Sequence, residues 1–350
     1  MTDLPHPARS PLRSLAHHIW TQERVWLVCI AVLAAVAALD APLAVTSVQF
    51  TATNLLDVAP FLILSIAVAA YAGATGADGL IARAFTGSPA MMIAIAALAG
   101  GVSPFCSCGV IPLIAALLAM GVPLSAVMAF WLASPVMDPS MFVLTTGVLG
   151  VEFAVAKTIA AVGLGVFGGI IVHLLSRAGG LTDPLRDGVG NGGCGASKVR
   201  ASHPVVWAFW HDKTRSAKFL REAAKTTIFL TKWLTLAFLL ESLMLAWIPA
   251  ELVTRALGGS GLAPIGIATL VGVPAYLNGY AALPLVGGLI GQGMAPGAGL
   301  SFLVAGGVTS LPAAIAVWAL VKRPVFALYI GIALTGSFAS GLLFQLWASL

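Results

Sequence analysis

Charged side chains are scarce in this chain of 350 residues, where Asp, Glu, Lys and Arg make up 9% against roughly 25% in soluble domains. Hydrophobic residues make up 59%. Stretches of about 20 apolar residues, enough to cross a bilayer, recur near 25–49, 54–74, 90–120, 123–148, 151–176, 226–248, 262–292, 297–320 and 324–348. They leave no room for a soluble catalytic domain, so the sequence predicts an all-α polytopic membrane protein.

Several common functional signatures are also missing. Four cysteines in a chain of this size do not make a disulfide framework, and no second Cys or His pair completes a four-ligand zinc site. No Walker motif is present, so we do not expect the chain to hydrolyse ATP. The formal net charge of +5 does not indicate nucleic acid, because the basic residues cluster at helix ends and in one loop. We expect no enzyme activity and no cofactor; the expected partners are a small-molecule substrate and the lipid bilayer.

The stretch 100–123, GGVSPFCSCGVIPLIAALLAMGVP, is interrupted by glycine and proline although it lies in an apolar region. Each Gly inside a helix costs roughly 1 kcal/mol and each Pro about 3 kcal/mol relative to Ala, so one continuous membrane helix is not expected. Pro104, Gly109 and Pro112 are the expected hinges. Irregular backbone at membrane depth is tolerated only beside protein or a water-filled cavity. Because two of the four cysteines lie in this break, it predicts a binding site.

Cys106 and Cys108, separated by Ser107, are the first candidate substrate-binding residues. Thiolates prefer soft partners such as copper(I) and, by the same argument, trivalent arsenic. A helix that restarts near Cys108 would favour the thiolate at its positive amino-terminal end. Two other interpretations stay open: the small residues pack a tight hairpin, or the thiols are the redox pair of a membrane oxidoreductase or sulfur-transfer protein. We expect no metal site apart from metalloid binding at these two thiols.

The sequence repeats itself at an offset of 172 residues. The offset pairs positions that apolar composition alone does not explain: Arg83 with Arg255, Gly87 with Gly259, Gly100 with Gly272, Pro112 with Pro284, Gly121 with Gly293 and Phe130 with Phe302. We interpret this as a duplication of units near 54–150 and 226–320. A second broken hairpin is then expected with Pro284 as its hinge. The offset assigns Asn278 and Tyr280 to the positions of the two cysteines, so they are further substrate-binding candidates.

The distribution of basic residues predicts the orientation. Residues 1–24 are basic and expected in the cytoplasm. The Gly-rich loop 178–222 is expected there too, since residues 177–225 hold nine Lys and Arg against four Asp and Glu. Both lie on one side only if one intervening run enters and leaves the membrane on the same side. We therefore predict two membrane halves, 25–177 and 223–350, related as inverted repeats with one re-entrant hairpin each, in the inner membrane.

Ionisable residues inside the apolar runs are functional candidates by default, because charge is costly in a bilayer. Asp138 directly follows the first hairpin, and we expect it either to line a cavity and couple transport to protons or to cap a helix break. Glu241 and Lys232 lie nine residues apart in one predicted helix, on opposite faces, and are further coupling or cavity candidates. Lys157 and Asp57 lie near the ends of apolar runs, where we expect them to snorkel or cap.

The run Pro-Phe-Cys-Ser-Cys-Gly-Val-Ile-Pro at 104–112 resembles the signature of the predicted permeases that include the arsenical efflux protein ArsP. The resemblance covers most of the membrane part. It implies efflux of trivalent organoarsenicals such as methylarsenite, with Cys106 and Cys108 matching the motif cysteines. The chemistry fits, because a trivalent arsenic with one organic group has two exchangeable valences, which two thiols can fill. The predicted function is therefore an inner-membrane permease that exports a thiophilic small molecule.

Overall fold

The structure, a computed structural model, describes residues 24–76, 87–103, 109–179, 181, 184–186, 206–247, 261–275 and 279–349. Its elements are helices, and within these ranges the only extended pairing is an isolated bridge between Leu185 and Val321. The prediction of an all-α polytopic membrane protein is confirmed.

The first half of the chain contains seven described helices. They are α1 (Arg24–Leu39), α2 (Ala41–Thr75), α3 (Pro89–Val102), α4 (Ile111–Ala119), α5 (Leu124–Ala133), α6 (Pro139–Leu149) and α7 (Val151–Arg177). A short 3-10 turn, Phe209–His211, then precedes the second half. Six described helices follow: α8 (Lys213–Trp247), α9 (Leu262–Ala275), α10 (Gly279–Gly291), α11 (Pro296–Thr309), α12 (Leu311–Leu320) and α13 (Arg323–Ala348).

Polar caps and prolines decide where several helices begin. Asp40, Ser88 and Asp138 each accept a hydrogen bond from a backbone N–H in the first turn of α2, α3 and α6. Each of these helices also has a proline in its first turn, where a missing N–H costs nothing. At the other end of α2, Gly76 adopts φ 77°, a left-handed conformation that favours glycine and stops the helix.

Four described helical segments are long and apolar enough to cross a membrane: Val151–Arg177, Lys213–Leu243, Pro296–Leu320 and Arg323–Ala348. A fifth is present if the two parts of α2, which meet at 45°, count as one span. The apolar runs 25–49 and 54–74 do not match the helices, because α1 ends at Leu39 and α2 then continues without a gap to Thr75. Asp40 caps α2 at that boundary, and this local polar group outweighs the continuous hydropathy on either side.

The break predicted in the stretch 100–123 is present. Helix α3 ends at Val102, and α4 begins at Ile111. With 14 and 9 residues, neither reaches the roughly 20 residues that a bilayer requires. The second half has the same pattern, since α9 ends at Ala275 and α10 begins at Gly279.

The helix boundaries repeat at the offset found in the sequence. Helices α2 and α8 begin at residues 41 and 213 and end at 75 and 247. Helices α5 and α11 begin at 124 and 296, and α7 and α13 begin at 151 and 323. All of these pairs are separated by 172 residues. The equivalence extends beyond the units 54–150 and 226–320 and takes in α2, α7, α8 and α13.

Two glycines make the same close contact in the two halves. A Cβ on Gly100 would lie 2.6 Å from the carbonyl oxygen of Phe130, and a Cβ on Gly272 would lie 2.7 Å from that of Phe302. Both pairs are equivalent under the offset. The close approach of α3 to α5 is therefore repeated between α9 and α11, which explains why these glycines recur in one register.

Equivalent helices of the two halves run antiparallel where they touch. Ser47, near the start of α2, accepts a hydrogen bond from Ser242, near the end of α8, at 2.8 Å. At the opposite ends, Arg215 of α8 donates to the carbonyl oxygen of Ala74 at 2.9 Å. Helices α7 and α13 are antiparallel as well, because Trp347 at the end of α13 donates a hydrogen bond to Glu152 at the start of α7 at 2.7 Å. These contacts support the inverted-repeat arrangement, which stays a prediction.

We expect Gly100→Ala and Gly272→Ala to destabilise the protein by similar amounts, about 1–3 kcal/mol each, because each added methyl group overlaps a backbone carbonyl. Gly163→Ala on α7 is the matched control, since a Cβ there meets nothing within 4 Å. Thermal unfolding in detergent measures all three. If Gly100→Ala lost much stability while Gly272→Ala unfolded like the Gly163→Ala control, the result would contradict equivalent packing of the two halves.

Candidate functional site

Helices α3 and α5 lie side by side along α7 and run parallel to each other. Close neighbours from both helices lie beside the glycines of α7: Ile93 and Ser125 beside Gly169, and Ala97 and Ala129 beside Gly165. Moving four residues back along α7 thus corresponds to moving four residues forward along both α3 and α5. The three helices are fixed in register by these small residues.

The carboxyl-terminal ends of α3 and α5 therefore lie at one level of the bundle. Gly101, in the last turn of α3, faces Val162 of α7, with 3.1 Å to a Cβ placed on the glycine. Ser103 and Ser134 follow directly after the last residues of α3 and α5. Both helix ends thus lie next to the part of α7 that precedes Val162.

Lys157 lies at this level. It is five residues before Val162, which is about 7 Å along the helix axis, in the direction of the two helix ends. Its side chain is 0% exposed, and its ammonium group has no hydrogen-bond partner among the described residues. The carboxylate of Asp138 is the charge that acts on it. The expectation that Lys157 snorkels to the membrane surface is wrong, because α7 directs this side chain into the bundle.

Three polar side-chain atoms near these helix ends are buried and unsatisfied. The hydroxyl oxygens of Ser103 and Ser134 and the Nζ of Lys157 form no hydrogen bond within the described part of the chain. Buried polar groups are normally hydrogen-bonded, so each exception needs an explanation. The carboxyl ends of helices carry partial negative charge and favour a nearby cation. Each of these groups can hold water, a polar part of a substrate, or a proton.

The second half has a neutral residue in the position of Lys157. The offset pairs Lys157 with Tyr329, which is also 0% exposed. Its hydroxyl donates to the carbonyl oxygen of Val308, near the end of α11, and its ring stacks on Trp131 at 4.8 Å between centroids. A neutral side chain therefore suffices for packing at this position, and the charge of Lys157 needs another explanation than packing.

Asp138 caps the helix that follows the break between α5 and α6. Its Oδ1 accepts hydrogen bonds from the N–H of Met141 at 2.8 Å and from the hydroxyl of Ser140 at 2.6 Å. The side chain is half-buried. Of the two roles expected for Asp138, capping of a helix break is confirmed. Its electrostatic influence on Lys157, without an ion pair between them, is compatible with the second role, a part in the transport pathway, which stays a prediction.

We expect Asp138→Asn and Asp138→Ala to separate these roles. Asn is as good an N-cap as Asp, whereas Ala costs about 1 kcal/mol at such a position. Thermal unfolding should therefore give a lower midpoint for Asp138→Ala and a midpoint near that of the parent for Asp138→Asn. A transport rate that falls in Asp138→Asn would then report loss of the charge rather than of the cap. Parent-like transport in that variant would leave Asp138 as a cap alone.

Glu241 and Lys232 both lie on α8, as predicted. Glu241 is 2% exposed, and its Oε2 has no hydrogen-bond partner within the described ranges. It continues the buried stripe of Leu230, Leu234 and Ala237. Lys232 is half-buried, and its spacing from Glu241 puts the two side chains on opposite faces of the helix. Glu241 is therefore a second buried ionisable side chain, on a helix that packs against α2.

Several candidate residues lie outside the described residues: Pro104, Cys106, Ser107, Cys108 and Asn278. Tyr280 belongs to α10, but its side chain is also outside the description. Of the predicted hinges, Gly109 is buried just before α4, Pro112 lies in the first turn of α4, and Pro284 lies inside α10. The hinge roles stay predictions.

A stripe of small residues could have identified Lys157 from the sequence. Ala154, Ala161, Gly165 and Gly168 recur at helical spacing and are buried against neighbouring helices. Lys157 falls on the same face, three residues after Ala154 and four before Ala161. Asp57 lies inside α2, three residues before Pro60, where the helix bends, and its side chain is exposed, so its expected role stays a prediction.

An apolar groove of about 670 Å³ lies between α7 and α13. It is lined mostly by aliphatic and aromatic side chains, and the hydrogen bond between Glu152 and Trp347 lies at one end. Among the residues predicted to bind substrate or couple transport, those whose side chains the structure describes do not line it. The groove is therefore separate from the polar level around Lys157.

The sequence pattern of the ArsP_1 family, described as "Predicted permease", matches residues 44–346. The match spans the Cys-x-Cys motif and the coupling candidates Asp138, Lys232 and Glu241, as well as Lys157, and it confirms the resemblance seen in the sequence. The UPF0718 protein YcgR of Bacillus subtilis is 33% identical over 85 residues, which is 24% of this chain and 29% of that protein. The match thus spans less than a third of the relative's length. No solved structure matches the chain.

Proposed function

The chain belongs to the predicted permease family, and on that premise we propose that it exports a thiophilic small molecule, specifically a trivalent organoarsenical such as methylarsenite, across the inner membrane. Membership of the family and the membrane-spanning helices establish a multi-pass membrane protein of a transport family. The substrate, the direction, the inner membrane and the cytoplasmic amino terminus belong to the proposal.

The observation that carries the proposal is the polar level at the ends of α3 and α5. Residues 104–108, which contain both thiols, connect Ser103 to Gly109, and both of these flanking residues are buried. Irregular backbone in a membrane bundle is tolerated where it borders a cavity. Broken helices near the middle of the membrane are where secondary transporters bind their substrates. The thiol motif thus starts directly after the unsatisfied hydroxyl of Ser103 and leads back to a buried residue, Gly109, which supports a substrate site between them.

The proposed binding step is an exchange of ligands on arsenic. Two thiols replace the two hydroxyl groups of methylarsenite, so that two S–As bonds form, two As–O bonds break, and two water molecules leave. Release is the reverse reaction, with two waters consumed and both thiols regenerated. Two thiols suit a carrier, because the substrate has to leave as well as bind. Inorganic arsenite has a third exchangeable valence, which this pair leaves unfilled.

Buried charges supply the proposed coupling. Lys157 is buried on α7 within the electrostatic influence of Asp138, which follows the end of α5, and Glu241 is buried on α8 in the second half. Ionisable residues inside a membrane bundle mark ion and proton pathways. Lys232, Asn278 and Tyr280 belong to the proposal as groups that line the same cavity from the second half.

A vectorial uptake assay tests the proposal. Energised everted membrane vesicles that contain the protein should accumulate methylarsenite above the level of vesicles without it, and an uncoupler should remove the difference. Inorganic arsenite should accumulate less. If methylarsenite does not accumulate, arsenic is the wrong substrate while membership of the permease family stands. The competing proposal, a thiol oxidoreductase, predicts instead that Cys106 and Cys108 cycle through a disulfide without vectorial movement.

A further inference from the structure

Two arginines lie against one tryptophan at the edge of the bundle. The guanidinium carbon of Arg186 lies 4.8 Å from the ring centroid of Trp318, and that of Arg323 lies 5.9 Å from it. Arg24, at the start of α1, is close enough to act electrostatically on Arg186. Trp318 is in the last turns of α12, and Arg323 is the first residue of α13. Three cationic groups thus converge where the membrane helices end.

Arg186 is held in place by backbone pairing rather than left free on the surface. Its N–H donates to the carbonyl oxygen of Leu320 at 3.0 Å, and its Nε donates to that of Val321 at 2.9 Å. Leu185 and Val321 form the isolated bridge, and the N–H of Lys322 donates to Pro184 at 2.9 Å. Because residues 184–186 are hydrogen-bonded to the turn between α12 and α13, the position of the Arg186 guanidinium is fixed.

The cluster carries positive charge that no described carboxylate neutralises. Neither Arg186 nor Arg323 forms an ion pair within the described ranges. Partial burial, followed by repulsion from Arg323 and Arg24, lowers the pKa of Arg186. Like charges held together in this way are costly unless an anion lies between them. Among the described residues, the arrangement therefore leaves room for an anionic partner.

The chemistry of the cluster and its location both indicate which anion it binds. Guanidinium groups bind phosphate through two parallel hydrogen bonds. Helix α13 begins at Arg323 without a side-chain cap, so its positive amino-terminal end adds to the field. Trp side chains mark the headgroup level of a membrane, and basic pockets between helices at that level bind lipid headgroups. Basic residues predict that this face is cytoplasmic, where anionic lipids concentrate.

We propose that Arg186 and Arg323, with Arg24 beside them, bind the headgroup phosphate of an anionic phospholipid at the cytoplasmic ends of α1, α12 and α13. The lipid phosphate neutralises the positive charge of the cluster and links α1 to the turn that begins α13. This site depends only on the position of the protein in a membrane and is independent of the substrate that it carries.

Thermal unfolding in neutral detergent with added lipid tests the site. Phosphatidylglycerol should raise the unfolding midpoint of the parent by about 2–4 °C more than phosphatidylcholine with the same acyl chains. Arg323→Gln and Arg186→Gln should each lose at least half of that difference, and without lipid Arg323→Gln should unfold like the parent. Arg221→Gln, which removes one exposed positive charge from α8, is the matched control and should keep the full difference.

Three results would overturn the site. The first is a parent that responds equally to the two lipids, and the second is an Arg323→Gln variant that keeps the parent's response. The third is a full shift produced by inorganic phosphate at the same concentration, which would show that a free anion rather than a lipid is bound. Because the side chain of Arg323 makes no hydrogen bond within the described residues, its variant remains informative even if Arg186→Gln fails to fold.

Discussion

Cys106→Ser and Cys108→Ser are each expected to reduce methylarsenite accumulation in everted vesicles to the level of vesicles without the protein. A hydroxyl group is nearly the size of a thiol, but it is a hard ligand and does not bind trivalent arsenic well. One remaining thiol fills only one of the two exchangeable valences of the substrate. The loss should therefore be almost complete for each single variant, and the double variant should be no worse.

The other two cysteines provide matched controls for this result. Cys29 is buried on α1 in a small apolar cluster with Val25 and Leu239, so Cys29→Ala should transport like the parent. Cys194 lies in the basic loop predicted from the sequence, and Cys194→Ser should also be active. Expression and the unfolding midpoint are measured for each variant. Accumulation equal to that of the parent in both motif variants would remove the thiols from the mechanism.

Lys157→Met is expected to abolish transport while making the protein more stable. The ammonium group of Lys157 is fully buried without a hydrogen-bond partner among the described residues. An unsatisfied buried polar group costs about 1–3 kcal/mol, and Met fills nearly the same volume without a charge. Asp138 keeps its hydrogen bonds to Ser140 and Met141, so its carboxylate is not left bare. The free energy of unfolding should therefore rise by about 1–3 kcal/mol.

Opposite changes in stability and activity are the signature of a residue kept for function. Uptake in everted vesicles and thermal unfolding in detergent measure the two quantities on the same preparation. Lys225→Met is the control, because Lys225 is exposed on α8 and should change neither. A Lys157→Met protein that transports normally would make the buried charge a packing feature only. A protein that unfolds more easily would show that Lys157 stabilises the bundle through a partner.

Much of the fold could be predicted from local chemistry. Glycine and proline both disfavour a helix interior, so the break between α3 and α4 follows from their density in residues 100–112, although Gly100 and Gly101 still belong to α3 and Pro112 to α4. The offset of 172 residues is visible as well, because contacts such as that of Gly100 with the backbone of Phe130 leave no room for a side chain at the glycine. The limits of α2 could not be predicted. Hydropathy is continuous across residues 25–74, and only the cap formed by Asp40 separates the first two helices.

The candidate site was predictable only in part. Cys106, Cys108 and Asp138 stand out because thiols and carboxylates are rare in apolar sequence. Lys157 does not stand out, because a lysine six residues inside a helix normally reaches the surface along its aliphatic chain. Its burial depends on the register in which α7 packs against α3 and α5. That register is set by contacts between distant segments, such as Gly165 with Ala97 and Ala129.

Protection of the motif thiols by substrate tests the central claim most directly. Membranes that contain the protein are treated with a membrane-permeant alkylating reagent, with and without methylarsenite, and the labelling of each cysteine is measured by peptide mass spectrometry. The account predicts that Cys106 and Cys108 are both alkylated without methylarsenite and both protected by it, while labelling of Cys194 does not change. Equal labelling of the motif cysteines in both samples, or a disulfide between them, would contradict it.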